Sequence, residues 1–362
     1  MTKRIGILTS GGDCPGLNAA IRGVAKAAYE RIPGVEIIGI TDGYSGLISG
    51  ESKEMKPSDF SGILTLGGTI LGTSRQPFKT IRVIGDDMVD KVAAMKKNYK
   101  KMGLDCLLTL GGNGTHKTAN LLSEEGLNVI GLPKTIDNDL WGTEVTFGFH
   151  TAVDIATEVI DRIHTTAASH GRVMVIEIMG HKAGWLTLYA GLAGGADIIV
   201  LPEIPFRMED IIDAVEKRAA HGKLFSIVAV AEGAMDVDEA AMKKKQRAAL
   251  RLERGEKTAT ERIARAIESA TGIETRTVVP GHVQRGGTPA AYDRVLSTQF
   301  GVYAADLIAK ETYGVSVAMT EHHVSHNPLS EVAGKTKFVT PDCQMVEVAK
   351  NMGICLGNNK IG

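Results

Sequence analysis

The segment RIGILTSGGDCPGLNAAIRGVAKAAYERI, residues 4–32, contains the pattern that decides the fold. Residues 4–9 form a short, mostly apolar run, which predicts a buried strand. A glycine-rich turn follows at residues 10–16, and from 17 to 32 apolar residues recur at helical spacing, which predicts a helix. A strand, a glycine turn and a helix in this order are typical of a parallel α/β sheet.

The same unit recurs further along the chain. The apolar residues 104–110 lead through the glycines 111–112 into a helix-like stretch, and residues 129–132 lead into the loop 133–139. Because the carboxyl ends of parallel strands meet at one edge of a sheet, we expect these turns to converge. A second set of alternating strands and helices begins after Gly148. The sequence therefore predicts an α/β fold of two doubly wound domains with mainly parallel sheets.

Composition limits the classes of function. The chain has 362 residues, 43% of them hydrophobic, and a formal net charge of -1, which gives no electrostatic reason to expect nucleic acid or an anionic membrane as a partner. No apolar stretch approaches the roughly 20 residues that a membrane span needs. The four cysteines are scattered and no secretory signal is evident, so we expect no disulfides and a cytoplasmic location.

The loop LPKTIDND, residues 132–139, has the side chains that phosphate chemistry requires. A carboxylate can take a proton from an attacking alcohol, while a lysine and a threonine hydroxyl stabilise the transferring oxygens. The alternative is that Asp137-Asn138-Asp139 is only a turn, since Asp and Asn favour turns. The glycine turns support the first interpretation, because free N–H groups at a helix N-terminus favour an anion.

Two other patterns resemble known binding sites. Residues 334–336, Gly-Lys-Thr, end like a P-loop, but the glycine required five positions earlier is Leu329, so the match fails. The histidine-rich residues 321–326 could bind a metal, because histidines three or four apart can share an ion. We interpret them as a polar loop.

Four separate motifs, in order along most of the chain, resemble the signatures of the 6-phosphofructokinases: residues 11–22, 133–139, 169–172 and 281–287. The resemblance implies a glycolytic kinase, a transferase, with its active site in the cleft between two domains. It implies a phosphoryl-donor-binding domain at residues 1–148 plus 284–334 and a fructose 6-phosphate-binding domain at residues 149–283 plus 335–362. The stretch after Lys337 is not covered by the resemblance.

The same resemblance implies residue roles. Asp137 would be the general base for the 1-hydroxyl of fructose 6-phosphate, with Asp139 beside it, while Thr135 and Lys134 would contact the transferring phosphoryl group. The sugar phosphate would be bound by Thr135, Asp137, Arg172, Met179, Gly180, His181, Glu232, Arg276, His282 and Arg285. Two of these, Arg172 and Arg276, would reach the sugar phosphate from a neighbouring subunit, which implies a homo-oligomer, a tetramer or dimer, with shared active sites.

On the donor side, the resemblance implies ATP with Mg²⁺. The matching positions are Gly12, Arg75, Gln76, Gly112, Asn113, Gly114 and Thr115, with Asn113 nearest the metal. Asn113 stands where most relatives have an aspartate, so we predict weaker magnesium retention. His181 stands where the family usually has arginine, which removes a fixed cation.

The donor is read from two positions that disagree. Gly114 is typical of ATP-dependent members, and Lys134 is typical of pyrophosphate-dependent members, which carry an aspartate at position 114. That aspartate would repel the α-phosphate of ATP, so we predict ATP as the donor. The alternatives are a pyrophosphate-dependent fructose 6-phosphate 1-phosphotransferase and a catalytically weak sugar-phosphate-binding regulatory protein.

Overall fold

The computed structural model of the chain describes residues 3–84, 89–253, 255 and 258–359. The chain forms two compact units, Met1–Thr151 with Arg285–Lys337 and Ala152–Gln284 with Phe338–Gly362. Each boundary lies within three residues of the corresponding expected one. The roles assigned to the two ranges remain predictions.

The elements alternate between strand and helix along most of the described chain. The strands are β1 (Arg4–Thr9), β2 (Glu36–Ile40), β3 (Ser52–Met55), β4 (Cys106–Gly111), β5 (Val129–Pro133), β6 (Val173–Ile178), β7 (Ile198–Val200), β8 (Ser226–Ala231), β9 (Thr275–Val278), β10 (Val315–Thr320) and β11 (His323–Pro328). The helices are α1 (Leu17–Arg31), α2 (Tyr44–Ser49), α3 (Lys91–Lys101), α4 (Asn113–Glu124), α5 (Phe149–His170), α6 (Trp185–Ala193), α7 (Met208–Ala220), α8 (Val237–Ala240), α9 (Lys244–Glu253), α10 (Ala259–Thr271), α11 (Ala291–Ala309), α12 (Leu329–Val332) and α13 (Gln344–Asn351).

The sheet of the first unit has the strand order β11-β10-β5-β4-β1-β2-β3. Its interior pairs are parallel, and only the two edge pairs, β10 with β11 and β2 with β3, are antiparallel. The chain runs from β1 to β2 on one side and later adds β4 on the other side of β1. In open α/β sheets, ligands bind at such a switch point, beyond the carboxyl ends of the strands.

Close helix packing supports this sheet. Leu17, Ile21 and Val24 are fully buried on α1, which packs against α11. The two helices approach closely because a Cβ at Gly23 would lie 2.9 Å from the carbonyl oxygen of Thr298. Any larger residue at position 23 would therefore push α11 away from α1.

The sheet of the second unit is entirely parallel, in the order β7-β8-β6-β9. Strands β6, β7 and β8 are almost fully buried, as expected for a parallel sheet covered on its faces by helices, whereas the edge strand β9 is partly exposed. The predicted α/β class with mainly parallel sheets is confirmed. No helix of the described residues is long and apolar enough to span a bilayer.

The predicted polar loop at residues 321–326 is wrong in part. From His323 onward these residues belong to β11, which pairs antiparallel with β10 in the register Val317 to His326. An edge strand exposes one side to solvent, so its polar composition resembles that of a loop. In the described part of the chain, no group of three His, Cys, Asp or Glu side chains could hold a metal ion, and this segment provides none.

Candidate functional site

Three turns lie side by side at the carboxyl ends of β1, β4 and β5, as predicted. The register pairs Thr9 with Leu110 and Leu110 with Leu132. Backbone bonds continue past the strands: Ser10 N donates to Leu110 O at 3.0 Å, and Lys134 N donates to Gly111 O at 3.1 Å. The first turn (10–16), the second turn (112–115) and the loop 134–139, here called the base loop, therefore share one edge of the sheet.

The first turn makes its close contacts through glycine. The Lys134 ammonium donates to the carbonyl oxygen of Gly12. The guanidinium of Arg285, a residue predicted for the sugar site, lies directly against Gly12, so that any Cβ there would overlap it. Arg285 and Lys134 thus bring two cations against the first turn, and the absence of a side chain at Gly12 leaves room for the Arg285 guanidinium.

Arg75 and Gln76 follow a segment that runs along the first turn. Ser74 O accepts a hydrogen bond from Gly11 N at 3.0 Å. The Arg75 side chain is exposed, whereas Gln76 donates to the hydroxyl of Ser45 at 2.7 Å. Arg75 and Gln76, both predicted to bind the phosphoryl donor, therefore follow directly on a segment that is bonded to the first turn.

The second turn begins α4. Gly112 is the residue that precedes the helix, and an added Cβ at Gly114 would meet, among the described residues, no atom within 4 Å beyond its chain neighbours and its own helix backbone. Thr115 is buried, and its hydroxyl donates to Ser10 O at 3.3 Å, which ties the second turn to the first. The unpaired N–H groups of a helix N-terminus are suited to a phosphate group.

The side-chain amide of Asn113 forms hydrogen bonds to the backbone through both its oxygen and its nitrogen. Its amide oxygen accepts from Gly334 N at 2.8 Å, and its amide nitrogen donates to Lys335 O at 2.9 Å. The carbonyl oxygen retains a second lone pair for a further ligand.

The base loop is fixed by its own hydrogen bonds. Asp137 N donates to the Thr135 hydroxyl at 3.0 Å, and the Thr146 hydroxyl donates to Thr135 O at 2.7 Å. Asn138 is buried with a positive φ of 50°, and its side-chain oxygen accepts from Thr146 N at 3.1 Å. This loop is an ordered element rather than a simple surface turn.

Burial changes the titration of two groups in the base loop. Lys134 is only 3% exposed, and burial lowers its pKa, with Arg285 acting in the same direction and Asp137 and Asp13 opposing. Burial raises the pKa of Asp139, against the opposing effect of Lys337 and Lys134. The first turn and the base loop thus form one electrostatic cluster.

Four predicted sugar-site residues lie beyond the carboxyl ends of β6 and β8 in the second unit. Met179 N donates to Gln284 at 3.2 Å, and His181, at a positive φ of 53°, donates its backbone N–H to Glu232 at 2.7 Å. Gly180 between them has a φ of 140°, which glycine alone adopts readily. His282 is exposed in the short turn Gly281–Arg285 that follows β9.

Arg172 and Arg276 lie at the other end of the same sheet. Arg172 immediately precedes β6, and Arg276 pairs in register with Met174 near the start of that strand. Both arginines form ion pairs with Glu274, at 2.7 Å from Arg172 Nε, and the hydrogen bond from Arg172 lowers the pKa of this carboxyl. The structure therefore separates these two arginines from Met179, at the far end of β6.

Comparison with known proteins assigns the family. A family model described as phosphofructokinase matches residues 4–308. The chain belongs to the phosphofructokinase family. An ATP-dependent 6-phosphofructokinase of Spirochaeta thermophila is 58% identical, over 99% of this chain and 98% of the relative. A pyrophosphate–fructose 6-phosphate 1-phosphotransferase of Amycolatopsis methanolica is 44% identical, over 94% of this chain and 97% of the relative.

A solved structure agrees with the family assignment. The phosphofructokinase of Saccharomyces cerevisiae is 31% identical and superimposes with a TM-score of 0.79 over 91% of this chain. The match covers 45% of the yeast chain, so this chain spans less than half of that protein's length.

Two polar residues near these turns carry no signal in the sequence. Asp293 is fully buried and accepts from Gly148 N, Thr151 N and the Thr151 hydroxyl. Lys337 donates to the segment that follows Asp137. No local motif marks either residue, because their partners lie more than 140 positions away in the sequence.

Proposed function

We propose that this chain transfers the γ-phosphoryl group of ATP to the 1-hydroxyl of fructose 6-phosphate, giving fructose 1,6-bisphosphate and ADP. The observation that carries the proposal is the alignment of two phosphate-type glycine turns with the base loop on neighbouring strands. Membership of the phosphofructokinase family, and a 58% identical relative named for this activity, support it.

Each part of the cluster has a chemical role in this reaction. Asp137 takes the proton of the attacking hydroxyl as the base, and Asp139 lies two residues away in the same ordered loop. Thr135 and Lys134 stabilise the charge on the transferring phosphoryl oxygens. Because the Lys134 ammonium already contacts Gly12 O, it is held in position before the substrates bind.

Magnesium fits this site in the manner usual for phosphoryl transfer. Mg²⁺ keeps water ligands and binds through the substrate's phosphates and one or two protein oxygens rather than in an all-protein cage. The second lone pair of the Asn113 amide oxygen can serve as such a ligand, directly or through water. When bound, the ion neutralises charge on the donor phosphates.

The donor is proposed from position 114. Since a Cβ at Gly114 would meet nothing within 4 Å, the packing of the chain does not require glycine there. We infer that the open space beside the phosphate-binding turn admits the longer donor, ATP. Lys134 can stabilise the charge on the transferring phosphoryl group with either donor. Pyrophosphate therefore remains the alternative donor, as the name of the Amycolatopsis relative suggests.

We also propose a homo-oligomer with shared active sites. Arg172 and Arg276 lie near the amino end of β6, whereas Met179 and Glu232 lie beyond the carboxyl ends of β6 and β8. A strand of six residues spans roughly 16 to 20 Å, so the arginines of one chain do not reach the same phosphate as Met179. Arginines from a neighbouring subunit meet this requirement.

The test is the initial rate of fructose 1,6-bisphosphate formation with Mg²⁺, comparing ATP with pyrophosphate at matched concentrations. We expect turnover with ATP. Turnover mainly with pyrophosphate would instead show that Lys134, and not Gly114, determines the donor. No turnover with either donor would favour a sugar-phosphate-binding protein.

The Asp137→Ser variant separates catalysis from binding. Loss of the base should lower kcat by a factor on the order of 10² to 10⁴, with fructose 6-phosphate binding retained in calorimetry. Unchanged kcat in this variant would remove Asp137 from the mechanism.

A further inference from the structure

The segment Gly334–Lys337 connects two parts of the candidate site within the first unit. We call it the bridging segment. At its start, the Asn113 side chain accepts from Gly334 N at 2.8 Å and donates to Lys335 O at 2.9 Å. Gly334 has a φ of 87°, and a Cβ there would lie 2.9 Å from the Lys117 side chain, so glycine is needed for this approach to α4.

At its end, the bridging segment runs antiparallel to the end of the base loop. Thr336 forms an antiparallel bridge with Leu140, and Lys337 N donates to Asp139 O at 2.8 Å. The four residues of the bridging segment therefore connect the second turn, at the N-terminus of α4, to the base loop.

The Lys337 side chain adds three hydrogen bonds to this backbone contact. Its ammonium donates to Asn138 Oδ1 at 3.1 Å, to Thr143 O at 2.9 Å and to Glu144 O at 2.8 Å. An ammonium group has three donors, so each N–H has an acceptor. The same Asn138 oxygen also accepts from Thr146 N at 3.1 Å, so Lys337 and Thr146 together fix the buried residue between the two aspartates.

We propose that Lys337 is a positioning residue for phosphoryl transfer, which holds Asp137 and Asp139 in place through Asn138. This inference rests on the proposed function, because it assigns Lys337 to the same reaction. Asn113 keeps the bridging segment in register by donating to Lys335 O, which an aspartate at that position could not do. The amide thus has a structural reason to stand at position 113.

The contact should depend on pH in a measurable range. Burial lowers the pKa of Lys337 from 10.5 to about 8, against the opposing effect of the facing carboxylates of Asp139 and Glu144. Glu144 in turn lies 3.7 Å from the imidazole of His322. A neutral amine keeps two N–H donors for three acceptors, so the hold on the base loop weakens as pH rises past about 8.

The experiment compares Lys337→Met with Lys335→Met. The control removes an exposed lysine two residues away and leaves the backbone contact with Asn113 intact. We expect Lys337→Met to lower kcat about tenfold or more, because small misplacement of a catalytic group is costly, while the KM for ATP changes little. The ratio of wild-type to Lys337→Met kcat should fall between pH 7 and 9.

A kcat for Lys337→Met equal to that of Lys335→Met would overturn the proposal, whereas a ratio that does not change with pH would overturn only its pH dependence. Amide hydrogen exchange tests the contact without turnover. Residues 138–146 should exchange faster in Lys337→Met than in Lys335→Met, and equal exchange would also overturn it. Wild-type protein without turnover would refute the proposed function, and the exchange measurement would still decide whether Lys337 holds the base loop in place.

Discussion

Replacing Glu239 by glutamine should destabilise the second unit by about 3 kcal/mol. Glu239 is 0% exposed in α8, yet it is charged. Arg251 Nε donates to its Oε1 at 2.6 Å and Arg262 donates to its Oε2 at 2.8 Å. Its two oxygens thus join α8 to α9 and α10, and a glutamine would turn its own N–H₂ toward a guanidinium.

The magnitude follows from the titration of this carboxyl. Burial alone would raise the pKa of Glu239, but hydrogen bonds from Arg262 and Arg251 outweigh it and lower the pKa from 4.5 to about 2. Each pKa unit corresponds to about 1.4 kcal/mol, which gives about 3 kcal/mol in favour of the charged form. Breaking a buried ion pair on one side typically costs about 3 to 5 kcal/mol, in agreement.

The sign of the pH dependence follows from the lowered pKa. The stabilisation is fully present above the unfolded value near 4.5 and is lost as pH falls toward about 2. The difference in unfolding free energy between wild type and Glu239→Gln should therefore be about 3 kcal/mol at pH 7 and smaller at pH 3.5.

Urea unfolding followed by tryptophan fluorescence measures this difference. The chain has two tryptophans, and Trp185 lies in the second unit, so a Trp141→Phe background reports on that unit. Glu216→Gln, an exposed position on α7, is the matched control and should change stability by less than about 0.5 kcal/mol. Equal stability of Glu239→Gln and the control at pH 7 would refute the reasoning.

Two further substitutions test the first unit. Asp293→Asn should cost about 2 kcal/mol in urea unfolding, because the new N–H₂ would face the N–H group of either Gly148 or Thr151; a loss below about 0.5 kcal/mol would contradict this. Gly12→Ala should lower kcat/KM for ATP at least about tenfold with an unchanged circular dichroism spectrum, because its Cβ would overlap the Arg285 guanidinium; normal kinetics would show that Arg285 moves without consequence.

The sequence predicts the elements that carry local signals. The strand β1, the turn after it and the helix α1 follow from apolar periodicity and two glycines, and the structure places them within one residue of the expected bounds. The convergence of the three turns was also predictable, because parallel strands of one sheet present their carboxyl ends at one edge.

Elements that depend on distant contacts were not predictable. The edge strand β11 has the polar composition of a loop, because its pairing with β10, and not an apolar alternation of its own residues, makes it a strand. Lys337 lies 199 positions from Asn138, and no spacing rule connects a lysine to an asparagine at that separation. Its role follows only from the backbone bridge that places it there.

The mixed donor signal, glycine at 114 and lysine at 134, is easier to interpret in the structure than in the sequence. The Lys134 ammonium contacts Gly12 O, and Asp137 and Asp13 oppose the lowering of its pKa by burial, so it belongs to the internal electrostatics of the first turn. Gly114 has no packing role within 4 Å. A residue engaged by the protein itself discriminates poorly between ligands, whereas open space beside a phosphate-binding turn acts on the donor directly. Position 114 is therefore the better indicator of the donor, and it favours ATP.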